Sequence, residues 1–453
     1  MGHRSAEQIG RTELGPRPLP PLGAPRAPSA PPAVDTVLDN GLRVIAVRRP
    51  AVPMVELRLQ IPFGGTHRTH PARAELLAAT MLQGTPRRDR FAIDKVLAAI
   101  GGDLAAGVDP EHLAVSGSAL ASGLDVMLDV LGDALTSASY ADAEVSRERD
   151  RLVERITMSR SRPQVIAREA LQRRRYGNHP FAREWPEVDD VAAVTRPAVR
   201  ALHRRSVVPG GAVLVLVGDI EPDRAVDLVA SVLAGWRGDH PAVGLAALPE
   251  LTPADLQLVH REGAVQSQLR LSAQAIPRDD ERYPALQLAN LVFGGYFSSR
   301  WVENIREDKG YTYGAHCGFE FTDHGATLVA DADTASEATA AALLETRYEL
   351  GRMAVVPPEE SEVDNARNYA IGSLTIHTSS QRGLAAQLAV LSSLGLDLDW
   401  LLTHAGRLAA VTTGQVAEAA AHFFAPSRFT GVVVGDAKRL ADPLAALGGV
   451  ELP

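Results

Sequence analysis

Hydrophobic and polar positions along the chain predict strands first and helices later. The segment TVLDNGLRVIAVRR is typical of a β-hairpin with Asn40-Gly41 as its turn. VELRLQIP then alternates like a half-buried strand, and ARAELLAATMLQ has the spacing of a helix after a turn at Gly64-Gly65. Several more helical patterns precede a late apolar strand that ends at Asp219. This mixed order, without regular βαβ alternation, favours layered α+β structure over a doubly wound sheet.

The same order of elements occurs a second time. Three short anchors recur at nearly one offset: Leu57-Arg58-Leu59 returns at Leu269, 212 residues on, the Val-Gly-Asp ending at Asp219 returns at Asp436, 217 on, and Glu144-Val145 returns at Glu362, 218 on. A shared order and spacing indicates duplication. We therefore predict two homologous α+β sandwich domains that together form half of a clamshell, able to hold a substrate from both sides.

Changes in composition divide the chain into four parts. Residues 1–33 are rich in Pro, Arg and Ala and predict a flexible tail, since such a segment buries too little apolar surface to offset its ordering entropy. Residues 34–240 form the predicted first domain, and 257–453 the second. Residues 241–256 between them have linker composition.

Charge and composition exclude some classes of function. The net charge of -9 argues against a nucleic-acid surface, and the basic run at 173–175 is interpreted as a solvated helix face. Cys317 is the single cysteine, so an internal disulfide is excluded. No apolar run approaches the roughly 18 residues of a membrane helix, and the start lacks the apolar stretch of a secretory signal. We expect a cytoplasmic protein without a membrane partner.

The stretch ELLAATMLQGT, at positions 75–85, gives the chain a family resemblance. Together with the two-half layout, it resembles the insulinase/pitrilysin-type metallopeptidases, the inverzincins. Active members carry H-x-x-E-H on the first helix of the first domain, followed by an M-L-x-x-G-T ending. Two His one helical turn apart bind Zn²⁺, and the Glu acts as base for the metal-bound water.

That motif is erased here. Alignment on Gly-Thr puts Glu75 and Ala79 at the two histidine positions and Ala78 at the catalytic Glu, whereas alignment on Met-Leu gives Leu76, Ala79 and Thr80. Alanine neither binds a metal nor moves a proton. The resemblance places the third zinc ligand near Glu154, which is at most a vestigial ligand position, so we expect no zinc on this chain.

A relocated metal site is one alternative. His67 and His70 lie three residues apart near Glu75, but the stretch GTHRTHP is predicted to be a loop, which fixes no ligand spacing. Exposed loop histidines are the better interpretation. His112 and His179 are interpreted as isolated, with His179 in a structural Y-G-x-H-P-like turn.

The second half retains more of the family pattern. In the segment 290–314 the family's L-R, six residues, then Y is matched by Arg306 and Tyr313, with Ile305 in place of Leu. The resemblance implies that Arg306 binds a peptide carbonyl and that Tyr313 supports the developing oxyanion. Tyr311 is expected to pack, and Arg300 to brace the turn.

These observations predict a non-catalytic, pseudopeptidase subunit. It would pair with a zinc-bearing homologue, as in bacterial heterodimeric processing peptidases, and supply substrate-binding groups to a peptide-processing zinc metalloendopeptidase. A scaffold or binding protein of the same fold, without a role in catalysis, is the alternative. A self-sufficient hydrolase with a metal site at His67, His70 and Glu75 is the third hypothesis.

Overall fold

A computed structural model describes residues 30–238 and 244–453. The first half of the chain builds a six-stranded sheet in the order β1-β2-β6-β3-β5-β4. Its strands are β1 (Ala33–Val37), β2 (Arg43–Arg48), β3 (Met54–Pro62), β4 (Asp103–Val108), β5 (His112–Leu120) and β6 (Val213–Gly218). The β1–β2 hairpin is confirmed, and its turn needs glycine because Gly41 has a φ of +87°.

The second half builds another six-stranded sheet, in the order β12-β7-β11-β8-β10-β9. Its strands are β7 (Leu256–His260), β8 (Gln266–Gln274), β9 (Thr312–Thr322), β10 (Gly325–Ala335), β11 (Thr430–Gly435) and β12 (Val450–Glu451). Strands β2 to β6 correspond one to one with β7 to β11. Only the edge strand beside β2 or β7 differs, since β1 is antiparallel to its neighbour and β12 parallel.

Helices fill the connections of both halves. The first half carries α1 (His70–Thr80), α2 (Arg90–Ala99), α3 (Leu124–Ser137), α4 (Asp142–Ser159), α5 (Pro163–Tyr176), α6 (Val188–Ala192), α7 (Arg196–Ser206) and α8 (Pro222–Val232). The second half carries α9 (Tyr283–Asn290), the short α10 (Arg300–Val302), α11 (Thr339–Val355), α12 (Glu360–Ser379), α13 (Gln381–Ser393), α14 (Leu398–Ala410), α15 (Thr413–Phe423) and α16 (Ala437–Leu447).

This architecture confirms the predicted fold class, two duplicated α+β sandwiches. The three sequence anchors occupy equivalent elements: the Leu-Arg-Leu motifs lie in β3 and β8, the Val-Gly-Asp motifs end β6 and β11, and the Glu-Val pairs lie in α4 and α12. Each sheet buries one face under helices of its own half. Alternate strand residues such as Leu57 and Leu59 in one sheet, and Leu269 and Leu271 in the other, form those two cores.

The outer face of each sheet is covered by a helix from the other half. Helix α13 packs on β3 and β6, where Leu384 and Leu388 meet Val213, Val215 and Val217. Helix α5 packs on β8 and β11 through Ala167 and Leu171. The two halves are therefore interlocked by an exchange of helices.

The basic run at 173–175 corrects a prediction, because only Arg173 lies on a solvated helix face. Arg174 forms two hydrogen bonds of 2.8 Å to Glu451 of the second half. Arg175 is 5% exposed and binds Ser272 and Thr327 in the second sheet. These arginines end α5, and they hold it against the other half.

The predicted tail and linker are only partly within the described residues. Positions 1–29 and 239–243 lie outside them. Between 244 and 255 the chain has no helix or strand, yet Leu245 and Leu251 are buried. In the described part of the chain, no single helix is long and apolar enough to cross a membrane; α13 and α14 together pass by length and composition, but they are bent by 99°.

Candidate functional site

Helix α1 places the degenerate motif in the first half. It packs against α4 and α7, and Ala78 is 6% exposed. Glu75 is half-buried, and Ala79, one helical turn later in α1, is partly exposed. Two methyl groups thus stand where a helix would need an imidazole and a carboxylate. The residues present do not fit a zinc ion, because alanine has no ligand atom to offer.

Glu75 instead forms an ion pair with an arginine. Its Oε2 lies 3.4 Å from Nη2 of Arg155 on α4. Burial raises the pKa of the Glu75 carboxyl, and Arg155 partly offsets that rise. Glu154, the predicted vestigial ligand, is exposed to solvent. An ion pair therefore joins α1 and α4, the two helices on which the family resemblance places the metal ligands.

His67 and His70 differ in their surroundings. His70 is the first residue of α1 rather than part of a loop, which corrects the sequence prediction. Its Nε2 lies 2.8 Å from the Phe63 carbonyl oxygen, and burial lowers its pKa. The exposed His67 contacts Thr69. His70 and Glu75 do line one small cavity of about 260 Å³, together with Asp109, Arg183 and Trp185.

The segment that carries Arg306 has an unusual backbone. Two π-helical turns, Leu291–Gly295 and Glu303–Asp308, flank the short helix α10. Such turns are rare and occur often at functional sites. Arg306 lies on the second turn, with its guanidinium 4.6 Å from the ring centroid of Phe297 and its Nε 3.4 Å from Glu307. Its side chain remains 36% exposed.

Tyr313 lies on a β-bulge at the start of β9. Thr312 pairs with Thr334 of β10 and Ala315 with Ala332, so β9 has one extra residue between these pairs. Thr312 stabilises the bulge by donating towards the carbonyl oxygens of Gly314 and Asp333. Bulges redirect side chains and are common beside active sites. The Tyr313 side chain is 94% exposed, which leaves its hydroxyl free for a ligand.

The surrounding residues fix this segment in place. Arg300 is 7% exposed and donates from Nε and Nη2 to Glu362 at 2.6 Å each, so it braces α10 as expected. Trp301 stacks on Phe293 with 5.3 Å between ring centroids. A Cβ on Gly294 would lie 2.8 Å from Trp301, which explains glycine there. Tyr311 packs against the core. Arg306 and Tyr313 thus project from a rigid support.

One group of titratable residues was missed by sequence reasoning. His112 is not isolated: its Nε2 lies 3.3 Å from Asp323 and its Nδ1 3.6 Å from Asp109. Hydrogen bonds to these carboxylates outweigh burial and raise the pKa of His112 to about 10. Burial and the nearby Asp323 raise the pKa of Glu111 to about 7. The signal in the sequence was a charged turn, DPEH, but its partner is more than 200 residues away.

Comparisons with known proteins agree with this fold. A profile described as insulinase (peptidase family M16) matches residues 43–186, and one described as the peptidase M16 inactive domain matches 193–369. An uncharacterised zinc protease of Mycobacterium tuberculosis is 28% identical over 65% of this chain and 68% of its own length. The uncharacterised zinc protease YmxG of Bacillus subtilis is 25% identical over 76% and 83%.

One further relative and one solved structure are also similar to this chain. Subunit 1 of the rat mitochondrial cytochrome b-c1 complex is 25% identical over 57% of this chain and 55% of its own. The crystal structure of a peptidase M16 inactive domain from Pseudomonas fluorescens superposes with a TM-score of 0.81, at 23% identity, over 89% of this chain and 98% of that one. The two profiles together cover more than two thirds of the sequence. This chain belongs to the insulinase family, peptidase family M16, as a pseudopeptidase in which the zinc-binding motif is missing.

Proposed function

We propose that this chain is the non-catalytic subunit of a two-subunit zinc metalloendopeptidase. It would pair with a homologue that carries the zinc motif and would complete the chamber in which a peptide is cut. The observation that carries the proposal is the contrast between the halves. Helix α1 has alanine at two motif positions, whereas Arg306 and the exposed Tyr313 are presented on a π-helical turn and a β-bulge.

Each group has a defined role in the proposal. The partner would hold the zinc and its bound water. Arg306 would donate to a peptide carbonyl oxygen and fix the register of the substrate, while the Tyr313 hydroxyl would donate to the oxygen on which negative charge develops. Positioning from a second subunit contributes because it fixes the reacting groups before the chemical step.

The sheet edges supply a way to hold an extended peptide. Strand β4 is one edge of the first sheet and β9, which begins at Thr312, is one edge of the second. An edge strand offers unpaired N–H and C=O groups to an added strand. A peptide paired with β9 would run beside the bulge at Tyr313, so strand addition and the two side chains would act on one substrate.

The test is turnover of a reconstituted pair. We expect Tyr313→Phe and Arg306→Ala each to lower kcat by roughly 10²- to 10³-fold, the usual loss for one oxyanion donor. Tyr348→Phe is the matched control, because Tyr348 is 59% exposed on α11 and should leave kcat unchanged. Assembly of each variant with the partner is measured by gel filtration, so that a loss of pairing is separated from a loss of catalysis.

A scaffold without a catalytic role is the second candidate, favoured by the likeness to subunit 1 of the cytochrome b-c1 complex. Under that hypothesis the Arg306 and Tyr313 variants would retain full turnover in the assembled pair. The third hypothesis, hydrolysis at His67, His70 and Glu75, has less support, because one of the two His70 ring nitrogens, Nε2, contacts the Phe63 carbonyl oxygen. Peptide hydrolysis by the purified chain alone, stopped by a chelator, would revive it.

A further inference from the structure

The two halves touch through equivalent turns. The β4–β5 turn of the first half carries Glu111, His112 begins β5, and the β9–β10 turn of the second half carries Asp323. Because β4–β5 and β9–β10 are corresponding hairpins of the duplicated sheets, this contact joins equivalent parts of the two halves. The backbone N–H of Asp323 donates to Glu111 Oε1 at 3.2 Å, and His112 contacts the Asp323 carboxylate. The contact lies outside the segment that carries Arg306 and Tyr313.

Three metal-binding side chains converge at this contact. One ligand atom each from Glu111, His112 and Asp323 lies within 4.8 Å of the other two. Among residues 30–238 and 244–453, this is the one group of three or more His, Cys, Asp or Glu with that property. Zinc accepts one neutral imidazole nitrogen and two carboxylate oxygens as ligands, with water completing the coordination. Binding would therefore release the His112 proton to solvent.

The charges of the group are incompletely balanced. Glu111 is only 8% exposed, yet its carboxylate receives hydrogen bonds from a single backbone N–H. Within the described chain it has no Lys, Arg or His ion-pair partner within 4.0 Å, and the Asp323 carboxylate lies beside it. The cation of the group, His112, is shared by the carboxylates of Asp109 and Asp323, so it does not offset all of the negative charge. Burial removes water that would otherwise solvate the remaining charge. A divalent cation would neutralise both carboxylates at once.

We propose that Glu111, His112 and Asp323 form a zinc-binding site that joins the two halves of the chain. It is separate from the erased motif on α1, and it would be structural, since it binds the β4–β5 turn to the β9–β10 turn. In a tetrahedral site with ligands about 2.1 Å from the ion, ligand atoms lie about 3.4 Å apart. His112 Nε2 and the Asp323 carboxylate are already 3.3 Å apart, so zinc would bind these two ligands at about their present separation.

The test is zinc binding by the full chain after removal of metal with a chelator. Competition with a chromophoric chelator should show one zinc per chain. His112→Gln and Asp323→Asn should each weaken binding by at least about 10-fold, since even indirect partners of a metal contribute that much. His324→Gln is the matched control, because His324 is exposed and next to Asp323 but outside the group. Its affinity should equal that of the unaltered chain.

A second measurement keeps the proposal testable if a variant folds poorly. Zinc should raise the Tm of the unaltered chain and of His324→Gln, and it should leave the Tm of Asp323→Asn unchanged, because an ion that binds only the folded state stabilises it. Absence of stoichiometric zinc overturns the proposal. So does zinc that is retained by both His112→Gln and Asp323→Asn. Its loss in Glu75→Gln would then assign the ion to His67, His70 and Glu75 instead.

Discussion

The two sheets are covered on their outer faces in different ways. Over the first sheet, α13 presents buried Leu384 and Leu388 to a row of valines, so the contact is almost entirely apolar. Over the second sheet, α5 adds to a smaller apolar contact the buried guanidinium of Arg175, which binds Ser272, Thr327 and Glu320. The duplicated strands have therefore kept their order, while the helices that cover them differ. We call α13 on the first sheet the apolar cover and α5 on the second sheet the polar cover.

The comparison shows that one topology tolerates two kinds of interlock. An apolar cover contributes in proportion to the area it removes from water, and ionic screening does not weaken it. A buried arginine must recover its lost hydration through several hydrogen bonds, so removal of one partner leaves an uncompensated charge. The polar cover should therefore specify the position of its helix more strictly, and the apolar cover should tolerate substitution of similar volume.

The apolar cover is broken by Leu388→Ala. Leu388 is fully buried between α13 and the first sheet, so its truncation leaves a cavity there. We expect the free energy of unfolding to fall by about 4 kcal/mol. Urea denaturation followed by circular dichroism measures it. Leu388→Met is the control, and a loss as large as that of Leu388→Ala would show that shape rather than volume governs this contact.

The polar cover is broken by Arg175→Ala. This change removes the hydrogen bonds that the Ser272 and Thr327 hydroxyl groups accept, and it removes the cation paired with Glu320. We expect a loss of about 3 kcal/mol, at the lower end for a buried pair because Glu320 is 35% exposed. Replacement of both partners, as in Arg175→Met with Glu320→Gln, should recover most of that loss in the same urea experiment. A double variant as unstable as Arg175→Ala would contradict this account.

Acid should lower the stability of the helices beside the α13 contact. His404 on α14 stacks on Trp400, a residue packed against the α13 contact, and its Nε2 lies 2.8 Å from Gln287. Burial, with help from Arg407 and Arg278, lowers its pKa from 6.5 to about 3.

The depressed pKa sets the sign of the effect. The neutral form is favoured in the folded state, so its contribution is complete above pH 6.5 and is lost as the pH falls towards 3. Between pH 7 and pH 5 this amounts to about 2 kcal/mol at 1.36 kcal/mol per pH unit. His404→Phe keeps the stack and should remove that part of the acid sensitivity, measured as the difference in unfolding free energy at the two pH values. Equal acid sensitivity in both proteins would contradict the prediction.

The smallest expected effect is at the end of α5. Arg174 forms two hydrogen bonds to Glu451 on β12, but Glu451 is 48% exposed. Arg174→Ala should therefore cost only about 1 kcal/mol, and the loss should shrink in high salt because exposed pairs are screened. Arg173→Ala, at the neighbouring solvated position, should change stability by less than about 0.5 kcal/mol. A salt-independent loss at Arg174 would indicate that packing matters more than charge.

Features that depend on neighbouring residues, namely strands, turns and helices, could be predicted from the sequence. Leu57 and Leu269 mark the same strand in each half because both bury the same face under helices, and that requirement leaves an alternating pattern in each segment. The Asn40-Gly41 turn was predictable because few residues accept a positive φ. The position of α1 followed from its periodicity, although the structure starts it at His70, before the predicted segment.

Contacts between the halves were beyond the reach of local pattern. His112 looked isolated because its partner Asp323 is brought near only by the packing of one hairpin on another. Arg175 looked solvated because a basic run on a helix is usually exposed, and nothing near it in sequence indicates the second sheet. The π-helical turn under Arg306 and the bulge at Tyr313 add one residue to a regular element, which periodicity alone does not reveal.

Because α5 and α13 are exchanged, each half covers one sheet face of the other. If the chain were cut between β6 and β7 and the pieces separated, the first piece would lose the helix that covers Val213, Val215 and Val217. These valines would then be exposed, and such an apolar surface promotes association. The second would lose the Arg175 guanidinium that donates to Ser272 and Thr327 of its sheet. Neither fragment should therefore be a faithful stand-in for the corresponding half of the intact protein.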